Sequence, residues 1–170
     1  MQRRHLLCCG AAAAGALFTG LMAGGRALAA AGPECAASTL PPALREHALL
    51  ARCWEGLDPG QLWDVHTHLL GTGDSGSGCR IDPRMTQWWH PVESLRRRVI
   101  LRGACVAEDA PSIDRAYVQR LLQLAADFPE GARWMLYAFD EALDESGRPR
   151  PDWTCFHVPD HHAAGVAARH

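Results

Sequence analysis

The sequence predicts a mixed α/β fold with parallel strands, and three features point that way. Segments with helical spacing alternate with short apolar runs, in the order helix, strand, helices, strand, helix. The run "ARWMLYAF" at 132–139 is continuously apolar and of strand length, which suits a parallel strand covered on both faces. The segment "DVHTH" at 64–68 leaves through a glycine-rich stretch, the position just past a strand end where α/β proteins build sites.

The chain has 170 residues, the size of about one domain. Its hydrophobic content of 48% is enough for a core. All 17 basic residues are arginine. Chemistry that needs a lysine from this chain is therefore excluded: Schiff bases, a phosphate-loop lysine, or a carbamylated lysine between two metals.

The first 29 residues have a charged start, an apolar middle and Ala27-Leu28-Ala29. This is the layout of an export signal cleaved after Ala29. Arg3-Arg4 resembles a twin-arginine signal, although Gln2 and Leu6 depart from the usual pattern. Export to the periplasm is the expectation. Residues 1–29 carry three arginines and no acid, so the remainder has 14 − 19 = −5 charges, against −2 for the whole chain. That balance argues against nucleic-acid binding. Beyond the signal remain Cys35, Cys53, Cys79, Cys105 and Cys155, with no CxxC pair. They are expected to be buried or loop thiols, with room for one disulfide.

Residues 30–40 read as a lead-in. "TLPPALREHALLARCWEGL" (39–57) reads as one helix. Thr39 could cap it, Pro41 and Pro42 suit its first turn, and Leu44, Ala48, Ala51 and Trp54 or Cys53 form an apolar stripe. Asp58-Pro59-Gly60 is turn chemistry that ends it. "QLWDVHTHLL" follows as a short strand, and residues 71–90 as a long loop without a regular period. Trp88 and Trp89 are expected to anchor that loop on the core, with an aromatic wall beside a substrate as the alternative. Pro91 opens a second helix with Val92, Leu95, Val99 and Val106 on one side; its Arg96-Arg97-Arg98 run reads as a solvated face able to pair with nearby acids. Ser112 can cap a third helix with Ile113, Tyr117, Leu121, Leu124 and Phe128 in phase, closed by Pro129-Glu130-Gly131. After the 132–139 strand and a polar loop, "CFHV" is expected to be extended and Pro159 to open a last helix.

Side chains alternate along a strand, so Asp64, His66 and His68 are expected on one face. Two neutral imidazoles on one face can converge on a divalent transition metal. Asp64 could then orient a ligand histidine. His90, Asp140 and His157 are further pocket candidates, with ordinary loop roles as their alternative. "GTGDSG" at 71–76 formally fits GxGxxG, but no helix pattern starts within it, which speaks against a dinucleotide site.

Residues 57–73, "LDPGQLWDVHTHLLGTG", resemble the opening of the amidohydrolase superfamily, in its amidohydrolase 2 branch. "RWMLYAFDEALDESGRPRP" (133–151) resembles the second barrel strand with its loop, and "FHVPDHHAAGVAAR" (156–169) the approach to the third. The resemblance implies a distorted (β/α)8 barrel with one or two divalent metals, zinc first among the candidates. It assigns His66 and His68 as two ligands. Such a barrel takes about 250 residues, against 170 − 29 = 141 after the signal. The expectation is thus a partial (β/α)8 TIM-barrel-like fragment over residues 60–170, with an N-terminal helical extension at 30–59. The family's later metal ligands have no counterpart here. The implied function is metal-dependent hydrolysis, or decarboxylation, of a small molecule. The alternatives are a non-catalytic fragment or subunit that needs another chain, and a small binding module. Self-association through an unpaired sheet edge is the expected partner mode.

Overall fold

The computed structural model describes Cys35 and residues 40–170. The predicted export signal and the Thr39 cap lie outside the described residues. In chain order come α1 (Pro42–Arg45), α2 (Ala48–Trp54), a 3-10 turn (Pro59–Gln61), β1 (Trp63–His68) and β2 (Arg80–Ile81). A second 3-10 turn (Pro83–Thr86), α3 (Pro91–Gly103), α4 (Ile113–Ala125), β3 (Arg133–Tyr137), β4 (Phe156–His157) and α5 (Asp160–Arg169) follow.

The architecture is mixed α/β. β1 and β3 run parallel, with Trp63 opposite Arg133 and His68 opposite Tyr137. The chain between them carries α3 and α4, as a parallel connection requires. β2 and β4 form a short antiparallel pair, and a bridge from Phe139 to Val158 joins the end of β3 to that region. Among the described residues the two sheets have two strands each, and no barrel closes.

The core lies on one side of β1 and β3. Leu69, Cys79, Val158, Ala163 and Val166 form one buried cluster, and Leu101, Val106 and Ile113 a second. Tyr117 packs against both. Leu69 joins the first cluster and Leu70 lines the second, so the chain is pinned immediately after β1. Burial of a side chain such as Leu69 contributes about 1.5–3 kcal/mol.

The loop after β1 is more ordered than its composition suggests, because two carboxylates organise it, the buried Asp114 and the exposed Asp74. Asp114 in the first turn of α4 is only 1% exposed. Its carboxylate accepts from the backbone N–H groups of Thr72 (2.6 Å), Gly73 (3.1 Å) and Ser75 (3.3 Å) and from the hydroxyls of Ser75 (2.8 Å) and Ser77 (2.6 Å). Asp74 returns the contact, accepting from the Ser112 hydroxyl and from the N–H groups of Ile113 and Asp114. The loop thereby satisfies donors that a helix start leaves open. Gly73 has φ +87°, and a Cβ there would collide with the Cys79 carbonyl oxygen. Burial alone would raise the Asp114 pKa; the hydrogen bonds from Ser77, Thr72 and Ser75 outweigh it and hold the carboxyl below its ordinary value.

Several expectations need correction. The single helix over 39–57 is two: His47 is extended, and its ring accepts from the Leu49 N–H, capping α2 afresh. The stripe expected on it is exposed apart from Trp54, which is half-buried beside Phe128. On α3 the side buried is that of Leu101, while Val92, Leu95 and Val99 stay exposed; Val106 is buried but lies beyond the helix. Leu124 and Phe128, near the end of α4, are exposed as well. β3 is covered on one face only, since Met135 and Tyr137 are exposed while Trp134 and Leu136 are half-buried. Trp88 and Trp89 do not anchor the loop: both are exposed and meet each other edge-on.

Other readings stand. Ser112 caps α4 by accepting from the Arg115 N–H. Asp58 caps the 3-10 turn at Gly60. α5 starts directly after Pro159, and residues 156–157 are extended. No helix begins within residues 71–76. Arg97 and Arg98 pair with Glu108 at 3.8 and 3.5 Å. The cysteines need one correction: Cys35 and Cys105 form a disulfide, Cys155 is disulfide-bonded as well, so the chain exceeds the single disulfide expected, and Cys53 and Cys79 are free thiols.

Candidate metal centre

β1 ends with His66 and His68, and their Nε2 atoms stand 2.8 Å apart. The rings meet edge-on, with centroids 4.7 Å apart. Residues two apart on a strand share a face, so both rings project from the same side of β1. Tyr137 of β3 lies 5.6 Å from each imidazole, and Phe139 stacks on His68 at 4.6 Å. Two nitrogens and two aromatic rings thus gather where the parallel strands end.

The backbone beneath is held from the core side. The Tyr117 hydroxyl donates to the His68 carbonyl at 2.9 Å. Burial raises the Tyr117 pKa, which keeps the phenol protonated as a donor. Leu69, fully buried, follows directly.

Asp64 is placed differently from the expectation. The three-position step from Asp64 to Thr67 on β1 opposes the two-position step from Trp134 to Leu136 on β3. This irregularity breaks the two-residue alternation, so Asp64 falls opposite Trp134, out of phase with the histidines. Its carboxylate accepts from the His66 backbone N–H at 2.9 Å, not from an imidazole. It therefore sets the backbone at the irregularity.

The electrostatics favour a neutral His68 ring. Burial first, and the neighbouring His66 second, lower the His68 pKa below the usual imidazole value. A neutral ring pair at 2.8 Å shares one N–H, with the other nitrogen accepting. Neutral imidazole is also the form that binds metals. Two ligands on tetrahedral zinc, each at about 2.0–2.1 Å, stand about 3.3 Å apart. The pair would open by about 0.5 Å to take the ion, a rotamer-scale adjustment for exposed rings.

The donor set is incomplete. Among the described residues no group of three or more His, Cys, Asp or Glu stands together to hold a metal. A catalytic zinc takes about three protein ligands. His90 occupies the N-cap position of α3 and contacts Trp89. Asp140 is exposed and accepts from the Glu141 N–H. His157 sits on β4 opposite Arg80, and its Nδ1 is buried without a partner. None of the three joins the histidine pair. The residues the sequence reading passed over are Tyr137, Phe139 and Tyr117. Tyr137 and Phe139 alternate at the end of an apolar run, which was a readable sign that they share a face. Nothing in the sequence marks Tyr117 as the partner of a carbonyl 49 positions away.

Comparison with known protein families, with curated proteins and with solved structures finds no match to this chain.

Proposed function

We propose that this chain is the N-terminal part of a metal-dependent, amidohydrolase-type hydrolase acting on a small molecule. One observation carries the reading: two imidazole Nε2 atoms converge to 2.8 Å at the C-terminal end of a parallel strand. In parallel barrels the C-terminal strand ends are where sites assemble. The β1–β3 pairing with intervening helices supports residues 60–170 as the opening of a partial (β/α)8 barrel. His66 and His68 would hold the metal, with zinc the first candidate. A bound divalent ion would supply Lewis acidity toward a carbonyl, or a water of lowered pKa. Tyr137 and Phe139 would wall the substrate side, and Asp64 would fix the backbone that aims His66. Decarboxylation on the same metal is the variant reading.

The second reading is a non-catalytic subunit that needs another chain. It is favoured by the two-ligand donor set and by the exposed sheet residues Val65, Met135 and Tyr137. The added chain would bring further ligands and cover this surface. Export through the twin-arginine-like segment fits the Cys35–Cys105 disulfide, since such bonds persist in oxidising compartments.

The test is turnover of small amide, ester and lactone substrates by the zinc-loaded chain. Hydrolysis abolished in both His66→Ala and His68→Ala supports the first reading. Tight two-imidazole metal binding without turnover supports the second. Turnover that survives both substitutions and chelation contradicts both.

A further inference from the structure

We propose that the exposed face formed by Trp88, Trp89 and α3 docks onto an anionic lipid surface. Five large apolar residues stand open on neighbouring turns: Trp88 at 83% exposure, Val92 at 64%, Trp89 and Val99 at 58%, and Leu95 at 50%. Residues 92, 95 and 99 follow helical spacing, so their side chains form one stripe along α3. Trp88 and Trp89, both exposed, lie just before the helix start. A contiguous open apolar surface of this kind marks an interaction site.

Charge identifies the occupant. α3 carries Arg96, Arg97, Arg98 and Arg102 against Glu93 alone, 4 − 1 = +3, on a chain whose net charge is −2. At 100° per residue Arg96 falls on one flank of the stripe, and Arg98 and Arg102 on the other. Leu101, on the opposite side, holds α3 to the core. Glu108 offsets part of this charge through Arg97 and Arg98. An apolar stripe between arginines, with tryptophans at one end, matches an interface where acyl chains lie below and phosphates beside it. The indoles sit at headgroup depth and the arginine stems reach outward. A second copy of the chain fits worse, because helix against helix would set arginine flank against arginine flank. Docking is superficial: no helix among the described residues is long and apolar enough to cross a membrane. The proposal is independent of the metal centre.

The experiment is co-sedimentation of the full chain with vesicles of phosphatidylcholine alone or with phosphatidylglycerol. Binding should be strong on the anionic vesicles, weak on the neutral ones and reduced by salt. Trp88→Ser with Trp89→Ser should lower partitioning about tenfold or more. Arg98→Gln with Arg102→Gln should remove most of the anionic preference. All four residues lie on α3 or just before it, so an unchanged circular dichroism spectrum separates lost docking from lost folding. Residues 1–29 are present in every variant, so binding through that segment would survive the tryptophan change and overturn the proposal. Equal binding to both vesicle types would overturn it as well. So would concentration-dependent self-association, lost in the tryptophan variant, with no vesicle binding.

Discussion

The loop gathered around Asp114 and the histidine pair on β1 lie within a few residues of each other in sequence, yet they are opposite in kind. Asp114 is buried and receives five hydrogen bonds of 3.3 Å or shorter from residues of its own chain. His66 and His68 are exposed, and their nitrogens face one another. The first region is finished by the chain itself. The second has its geometry fixed from below, through Tyr117 and Leu69, while its donor set among the described residues stays short of a metal's needs. A region that completes itself contributes stability; one held rigid but left open is available for a ligand.

Substitutions should separate the two regions sharply. Asp114→Ala strands several donors and should cost roughly 3–5 kcal/mol, a fall in Tm of about 10 °C or more by differential scanning calorimetry. Gly73→Ala should cost about 2–4 kcal/mol, from its left-handed φ and the collision with the Cys79 carbonyl. Leu101→Ala, in the second core cluster, should cost about 2–4 kcal/mol, against less than about 0.5 kcal/mol for exposed Leu95→Ala. A Leu95→Ala effect equal to that of Leu101→Ala would mean that the face is covered in solution. His66→Ala should move Tm by less than any of these while reducing metal uptake.

Acid sharpens the contrast. The Asp114 carboxyl titrates below its ordinary value of 3.8, so its contribution is present above that pH and is lost as pH falls through the lower folded value. Urea midpoints should drop below about pH 4, and Asp114→Asn should flatten that drop. His68 has the opposite charge type. Its lowered pKa disfavours the proton in the folded state, so stability rises with pH between that folded value and 6.5. Metal uptake should follow the same direction, falling as the pH drops through that lowered folded value and protons compete for the ring.

How much of this was readable in the sequence follows from the range of each interaction. β1, β3, the Ser112 cap and the start of α5 were legible, because periodicity and capping act over a few residues. The convergence of His66 and His68 was legible for the same reason. The break at His47 was not, since it depends on a ring accepting from a backbone N–H inside a good helix pattern. The phase of Asp64 was lost because alternation assumes a regular register. The Asp114 lock was hidden because its partners lie 37 to 42 positions away. On α3 the pattern identified an apolar side correctly, but amphipathicity states only which side is apolar, not which side is covered. The partial barrel remains a proposal, resting on one parallel pair and its crossover.

The most direct test is metal coordination at β1. Zinc titrated into the full chain at pH 7.5, followed by X-ray absorption at the zinc edge, should show one ion with imidazole nitrogens at about 2.0–2.1 Å. The signal should disappear in the His66→Ala/His68→Ala double variant while its thermal melt stays near that of the parent. An unchanged zinc signal in the double variant would contradict the account.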